Sequence, residues 1–142
     1  MSNRIATQKV HEQYGGVVPE LASRAHIQNI VPVVELALQE AGVTLSDIDA
    51  VAFTKAPGLI GSLLVGSQFA KSLALALNKP LLAVHHMQAH VLANLIDDPK
   101  PTFPFLCLTV SGGHTQIVLC ESTSQMKVIG ETIDDAAGEA FD

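Results

Sequence analysis

The run His85-His86-Met87-Gln88-Ala89-His90 carries the residue types best suited to metal chemistry. Histidines four apart on a helix lie about 40° apart in projection, so the imidazoles of His86 and His90 can converge on one ion while His85 points elsewhere. Two imidazoles leave a site incomplete, and a third ligand, usually a carboxylate, must come from another segment. The same spacing also suits two helix-face histidines with ordinary hydrogen bonds, and the pattern alone does not choose. Zincin-type peptide hydrolysis is disfavoured, because Met87 stands where the general-base glutamate is needed.

Three other stretches invite a ligand. In Thr109-Val110-Ser111-Gly112-Gly113-His114-Thr115, a Gly-Gly turn between strands permits positive φ and lets backbone N–H groups approach an anion, with hydroxyl donors at Ser111 and Thr115. A plain hairpin asks for the same glycines. Pro57-Gly58-Leu59-Ile60-Gly61-Ser62 is a strand-to-helix junction whose helix N-terminus could face an anion. Close helix–strand packing allowed by Gly58, Gly61 and Gly66 is its plainer reading. In the terminal run from Asp134 to Asp142, acids in a first helical turn suit the helix dipole. Asp135, Glu139 and Asp142 would share a face, where like charges repel unless a cation or a donor-rich ligand such as a ribose sits there.

The elements that must hold these residues follow from periodicity. Pro19 and Glu20 start a helix, apolar residues recur at helical spacing from Ala22 to Ala41, and Gly42 closes it. Pro32 inside that run predicts a kink or two helices end to end. A short strand, Ala50–Thr54, leads to a helix over about Ile60–Leu77. Leu81–Val84 reads as a strand and His86–Ile96 as a helix. Asp97–Pro104, with three prolines, is the one plausible linker. Phe105–Val110 and Thr115–Cys120 form a hairpin, followed by a strand at Lys127–Gly130 and a helix start at Asp134. The order predicts α/β layers with a partly parallel sheet.

Composition narrows the class. Of 142 residues, 48% are hydrophobic and 15% charged, which excludes a disordered tail, and the length suits one compact domain. The formal charge is −6, and Lys127 is the only cation against six acids in residues 121–142. The acidity is therefore a C-terminal feature. With no Lys/Arg cluster, composition argues against a surface that grips nucleic acid by itself. In the hairpin register Cys107 faces Val118 and Cys120 faces Phe105, so the cysteines are diagonal neighbours, poorly placed for a disulfide. With no signal-like N-terminus, this predicts a reduced, cytoplasmic setting. Leu59–Leu77 has membrane-span length, but Ser62, Ser67, Gln68, Lys71 and Ser72 interrupt it, and a buried helix in a soluble domain is expected, with no membrane partner.

Taken in order, the segments His11–His26, Pro57–Gly66, His85–His90, Val110–Thr115 and Asp134–Asp142 closely resemble the TsaD family, the tRNA N6-adenosine threonylcarbamoyltransferases once classed as glycoproteases. The resemblance runs over essentially the whole chain. It implies the actin-like ATPase (ASKHA) fold, with residues 1–104 as the remainder of the first lobe and residues 105–142 as the hairpin and helix start of the substrate-binding region. By the same resemblance, His86 and His90 match the two metal-binding histidines. Thr109, Val110, Ser111, Gly112 and Gly113 match the substrate-phosphate loop, and Asp142 matches the acid that contacts the nucleotide. No catalytic residue is assigned. The implied cofactor is one divalent metal ion per subunit, iron first, with zinc or magnesium as alternatives.

Family members transfer the threonylcarbamoyl group from threonylcarbamoyl-AMP to the exocyclic amine of the adenosine beside the anticodon, in tRNAs reading ANN codons. The implied partners are tRNA, threonylcarbamoyl-AMP, the dimerising paralogue TsaB and the ATPase TsaE. Family members also carry an earlier Glu-Ser-Ser-Cys-Asp phosphate loop and a later aspartate metal ligand, and they run considerably longer. The expectation is an N-terminal-half fragment that is inactive alone. Ala56 stands where the family more often has glycine. Two alternatives stay open: a non-catalytic dimerising paralogue of the same fold, which would have no need of His86, His90 and the Ser111 loop, and a metal-dependent glycoprotein endopeptidase, weakened by Met87.

Overall fold

The computed structural model describes residues 1–7, 16–111 and 115–133. Two compact units divide the chain between Val84 and His85. This break lies ahead of the proline-rich stretch 97–104, so the histidine segment belongs with the hairpin that follows it.

In the first unit, α1 (Pro19–Ala41) begins where proline fixes φ and needs no N–H partner. The Ala22 N–H closes the first turn on the Val18 carbonyl at 2.9 Å. At the other end Gly42 takes φ 67°, and the Gly42 and Val43 N–H groups reach the Gln39 and Leu38 carbonyls, each at 3.1 Å. Between these ends α1 is continuous, one helix rather than two, with Pro32 inside it. Proline withholds the single bond that would go to the Gln28 carbonyl, and the turns on either side carry the helix past it.

A short 3₁₀ turn, Leu45–Asp47, follows. There the Thr44 N–H and hydroxyl both donate to the Asp47 carboxylate, at 2.8 and 2.7 Å. β1 (Val51–Ala56) and β2 (Leu81–His85) form a two-stranded sheet, with α2 (Ile60–Leu77) between them in sequence. α2 ends on Asn78 at φ 50°, and the Lys79 N–H bonds the Ala74 carbonyl at 2.9 Å, the arrangement seen at Gly42.

The structure corrects the expected burial of α2. Among the described residues it is the one helix long and apolar enough to cross a membrane by length and composition. It packs against α1 and β1, yet buries only Ala70 and Ala74 and leaves Ile60, Leu64 and Leu75 exposed. One helix and one strand cover one stripe of an 18-residue cylinder and no more. The glycines also differ from expectation. A Cβ on Gly61 would stand 3.3 Å from the Ser23 Cβ and closer still to its hydroxyl. The tight approach is therefore helix against helix, while Gly66 faces open space.

In the second unit, α3 (His86–Leu92) tightens into a 3₁₀ turn, Ala93–Leu95, where a longer α-helix was expected. β3 (Phe105–Val110), β4 (Thr115–Cys120) and β5 (Met126–Glu131) form an antiparallel sheet in that order. The register pairs Cys107 with Val118 and Phe105 with Cys120, as the hairpin reading requires. One sheet face carries Phe105, Cys107, Val118, Cys120 and Met126 around Val91 of α3. Val91 and Cys120 are fully buried, and a buried valine side chain contributes about 1.5–3 kcal/mol. On the opposite face Leu106, Leu108, Val110 and Ile117 are exposed, with Leu108 directly across from Ile117.

Candidate metal and anion site

His86 opens α3 directly after β2, and His90 follows one turn later. Met87 and Val91 form the adjacent i, i+4 pair and are buried. That anchored stripe sets the rotation of the helix and leaves the histidines outside the core, both exposed. Their Nε2 atoms lie 3.2 Å apart. The rings meet edge to face, with centroids 4.5 Å apart and planes at 69°. A separation of this size fits one imidazole N–H donating to the other ring's nitrogen. The same convergence aims two nitrogen donors of suitable softness at one point, so the pair fits a divalent ion. Among the described residues no group of three His, Cys, Asp or Glu side chains gathers, so a third ligand has to come from elsewhere.

His90 also lines a cavity of about 220 Å³. Its other walls include Asn94 from the end of the helical segment, Cys107 and Thr109 from β3, and Val110 and Ser111 where that strand ends. The structure therefore brings one predicted metal histidine together with the first three residues of the predicted anion loop. Strand alternation explains the pairing of Cys107 with Thr109, since residues two apart share a face. Thr109 is a buried polar residue, and its hydroxyl donates to the Gln116 carbonyl at 3.3 Å across the β3–β4 ladder. His86 joins the cavity only through His90. Gly112, Gly113, His114 and Asp142, like the whole acidic run from Asp134, lie outside the described residues.

Two lining residues were not anticipated. Asn94 repeats the four-residue step from His86 through His90 and so falls on the same side of the helical segment, a signal that was open to reading. Its Nδ2 donates to the Val91 carbonyl at 3.0 Å and to the Cys107 Sγ at 3.6 Å. Cys107 is a free thiol, half-buried beside the cavity. Behind it, burial pushes the Cys120 thiol up from its ordinary value, and the neighbouring Cys107 adds to the shift. The Cys120 thiol donates to the Ser122 carbonyl at 3.4 Å.

Comparison with known proteins bears on all five motifs at once. The sequence profile of the family described as TsaD, tRNA N6-adenosine threonylcarbamoyltransferase, matches residues 1–142. The protein of that name from Christiangramia forsetii is 65% identical over 145 aligned residues, which cover all of this chain and 43% of that one. Its counterpart from Porphyromonas gingivalis is 63% identical, again with 43% of its length covered. The chain thus spans less than half the length of these relatives. Among solved structures, YeaZ from Pseudomonas aeruginosa matches with a TM-score of 0.53 at 27% identity, over 77% of this chain and 52% of that one.

Proposed function

The chain belongs to the TsaD family of tRNA N6-adenosine threonylcarbamoyltransferases and has its α/β, actin-like ATPase-type fold; from that premise we propose that the full-length protein modifies tRNA by threonylcarbamoyl transfer. The acyl donor on this reading is threonylcarbamoyl-AMP. The acceptor is the N6 amine of the adenosine beside the anticodon in tRNAs reading ANN codons. The observation that carries the proposal is the shared cavity, which sets His90 against Thr109, Val110 and Ser111. A mixed anhydride of a carbamate and a phosphate needs an anion cradle beside a centre that attracts a carbonyl oxygen.

In this scheme backbone N–H groups of Thr109–Gly113 and the Ser111 hydroxyl hold the AMP phosphate, and Asp142 accepts from the ribose. His86 and His90 would hold a divalent ion, iron first, with zinc or magnesium as alternatives. When bound, such an ion supplies positive charge that polarises a carbonyl and stabilises negative charge developing on its oxygen. The chain's own residues fix the donor so that its carbonyl carbon faces the incoming amine, which removes much of the entropic barrier. The amine adds to that carbon, the C–O bond to phosphate breaks, the amine gives up one proton to solvent, and AMP leaves with the bonding pair and its negative charge. No covalent enzyme intermediate is required. Transfer on this reading is an activity of the full-length protein, and the 142-residue chain alone is inactive.

The proposed partners are tRNA, a dimerising paralogue (TsaB) and an ATPase (TsaE), in a reduced cytoplasmic setting without a membrane. The likeness to YeaZ supports a same-fold partner, and the free thiols of Cys107 and Cys120 support the compartment. That likeness also favours a second reading, a non-catalytic paralogue; the converging histidines speak against it. Incubating full-length protein with threonylcarbamoyl-AMP, tRNA and the partner proteins, then digesting the tRNA for mass spectrometry, separates the two. Modified adenosine above background, abolished by His86→Ala, is expected for the transferase. Its absence, with the dimer intact, selects the paralogue.

A further inference from the structure

We propose that Asn94 is a positioning residue that couples the two halves of the cavity, an inference resting on the metal and phosphate reading above. The two halves reside on different elements: His86 and His90 on α3, and Thr109, Val110 and Ser111 at the end of β3. The one side chain whose described bonds reach both is Asn94. Its Nδ2 donates within the helical segment to the Val91 carbonyl at 3.0 Å, and across to the Cys107 Sγ on β3 at 3.6 Å. An amide nitrogen has two hydrogens, so both bonds form at once.

Both acceptors are well placed to transmit a position. Val91 is fully buried against the sheet and lies one residue after His90. Cys107 precedes Thr109 by one strand repeat on the same face, and both line the cavity with His90 and Asn94. A bond to thiol sulfur is weak, so its worth is geometric: it sets the spacing of α3 against the loop end of β3 while adding little to global stability. The consequence is energetic coupling. An ion at the histidine pair and a nucleotide phosphate at the loop each gain affinity when the other is bound, provided Asn94 holds the spacing.

The test uses full-length protein, Zn²⁺ as the ion and AMP as the nucleotide, both titrated by calorimetry. Zn²⁺ is expected to tighten AMP binding about tenfold in the wild type, a size ordinary for linked sites. Asn94→Leu and Cys107→Ala are each expected to cut that factor to about twofold, read for each variant as the ratio of its own AMP dissociation constants without and with Zn²⁺ so that any change in basal affinity cancels. The double variant is expected to be no worse than either single one. Asn94→Ala, which removes the amide without adding bulk or charge, should behave like Asn94→Leu and guards against a folding artefact. Full coupling in the variants, additive losses in the double variant, or no coupling in the wild type each overturn the proposal. Intact coupling in a protein that leaves tRNA unmodified would sustain it and overturn the transferase reading instead.

Discussion

The Nε2 atoms of His86 and His90 stand 3.2 Å apart, a separation that lets both nitrogens reach one ion. Removing one imidazole therefore removes half of a two-point grip. In Zn²⁺ titrations of the chain, His86→Ala and His90→Ala are each expected to weaken binding by at least about tenfold, with the double variant scarcely weaker than either. His85→Ala, outside the pair, should bind as wild type. Equal loss at His85 would mean that the ion is held by the whole histidine run.

Gly61 is where α1 and α2 come closest, since a Cβ there would crowd Ser23. Gly61→Val is expected to cost about 1–3 kcal/mol, the usual range for overpacking a tight contact. Urea denaturation would read this, and Ser23→Ala in the same chain should return part of the loss. Gly66→Ala, facing open space, should be neutral or slightly stabilising because alanine suits a helix interior better.

The left-handed cap at Gly42, φ 67°, predicts a loss of about 1 kcal/mol for Gly42→Ala. Asn78 holds the equivalent position after α2 at φ 50°, so Asn78→Gly should leave stability unchanged or raise it. Thermal melts of the two variants should move in opposite directions or differ clearly in size.

The Thr44 N–H and hydroxyl hold the Asp47 carboxyl below the usual carboxylate range. A carboxylate with a lowered folded value stabilises the chain above its unfolded value, near pH 4, and that stabilisation fades as pH falls through the folded one. Asp47→Asn should therefore lower the melting temperature slightly at pH 7 and narrow the gap to wild type as the pH drops below about 4. A gap that widened in acid would contradict this sign.

Much of the architecture was legible because its signals are local. Pro19 and Gly42 marked the ends of α1, and the Gly-Gly turn set a hairpin register that the Cys107–Val118 pairing bears out. Pro32 misled, since an interior proline reads as a break while a long helix with turns on both sides absorbs one missing bond. The burial of α2 misled for a different reason: hydrophobicity says what a helix would bury, and only its neighbours in this chain say what it does. Of the candidate site, the histidine step was legible as spacing. Its meeting with Thr109 was not, because that depends on α3 lying across the sheet through Val91, a long-range contact. Asn94 was overlooked because an amide draws attention only once its neighbours are known.

The three-stranded sheet is apolar on both sides, and among the described residues α3 packs on one of them. Leu106, Leu108, Val110 and Ile117 on the other side make the 142-residue chain a sticky object in solution, with a flat oily plate on its surface. Its colloidal behaviour will thus be set by that plate. Self-association should rise steeply with concentration and ease with a single Leu106→Lys change, which places a charge on the patch at a residue that does not line the cavity.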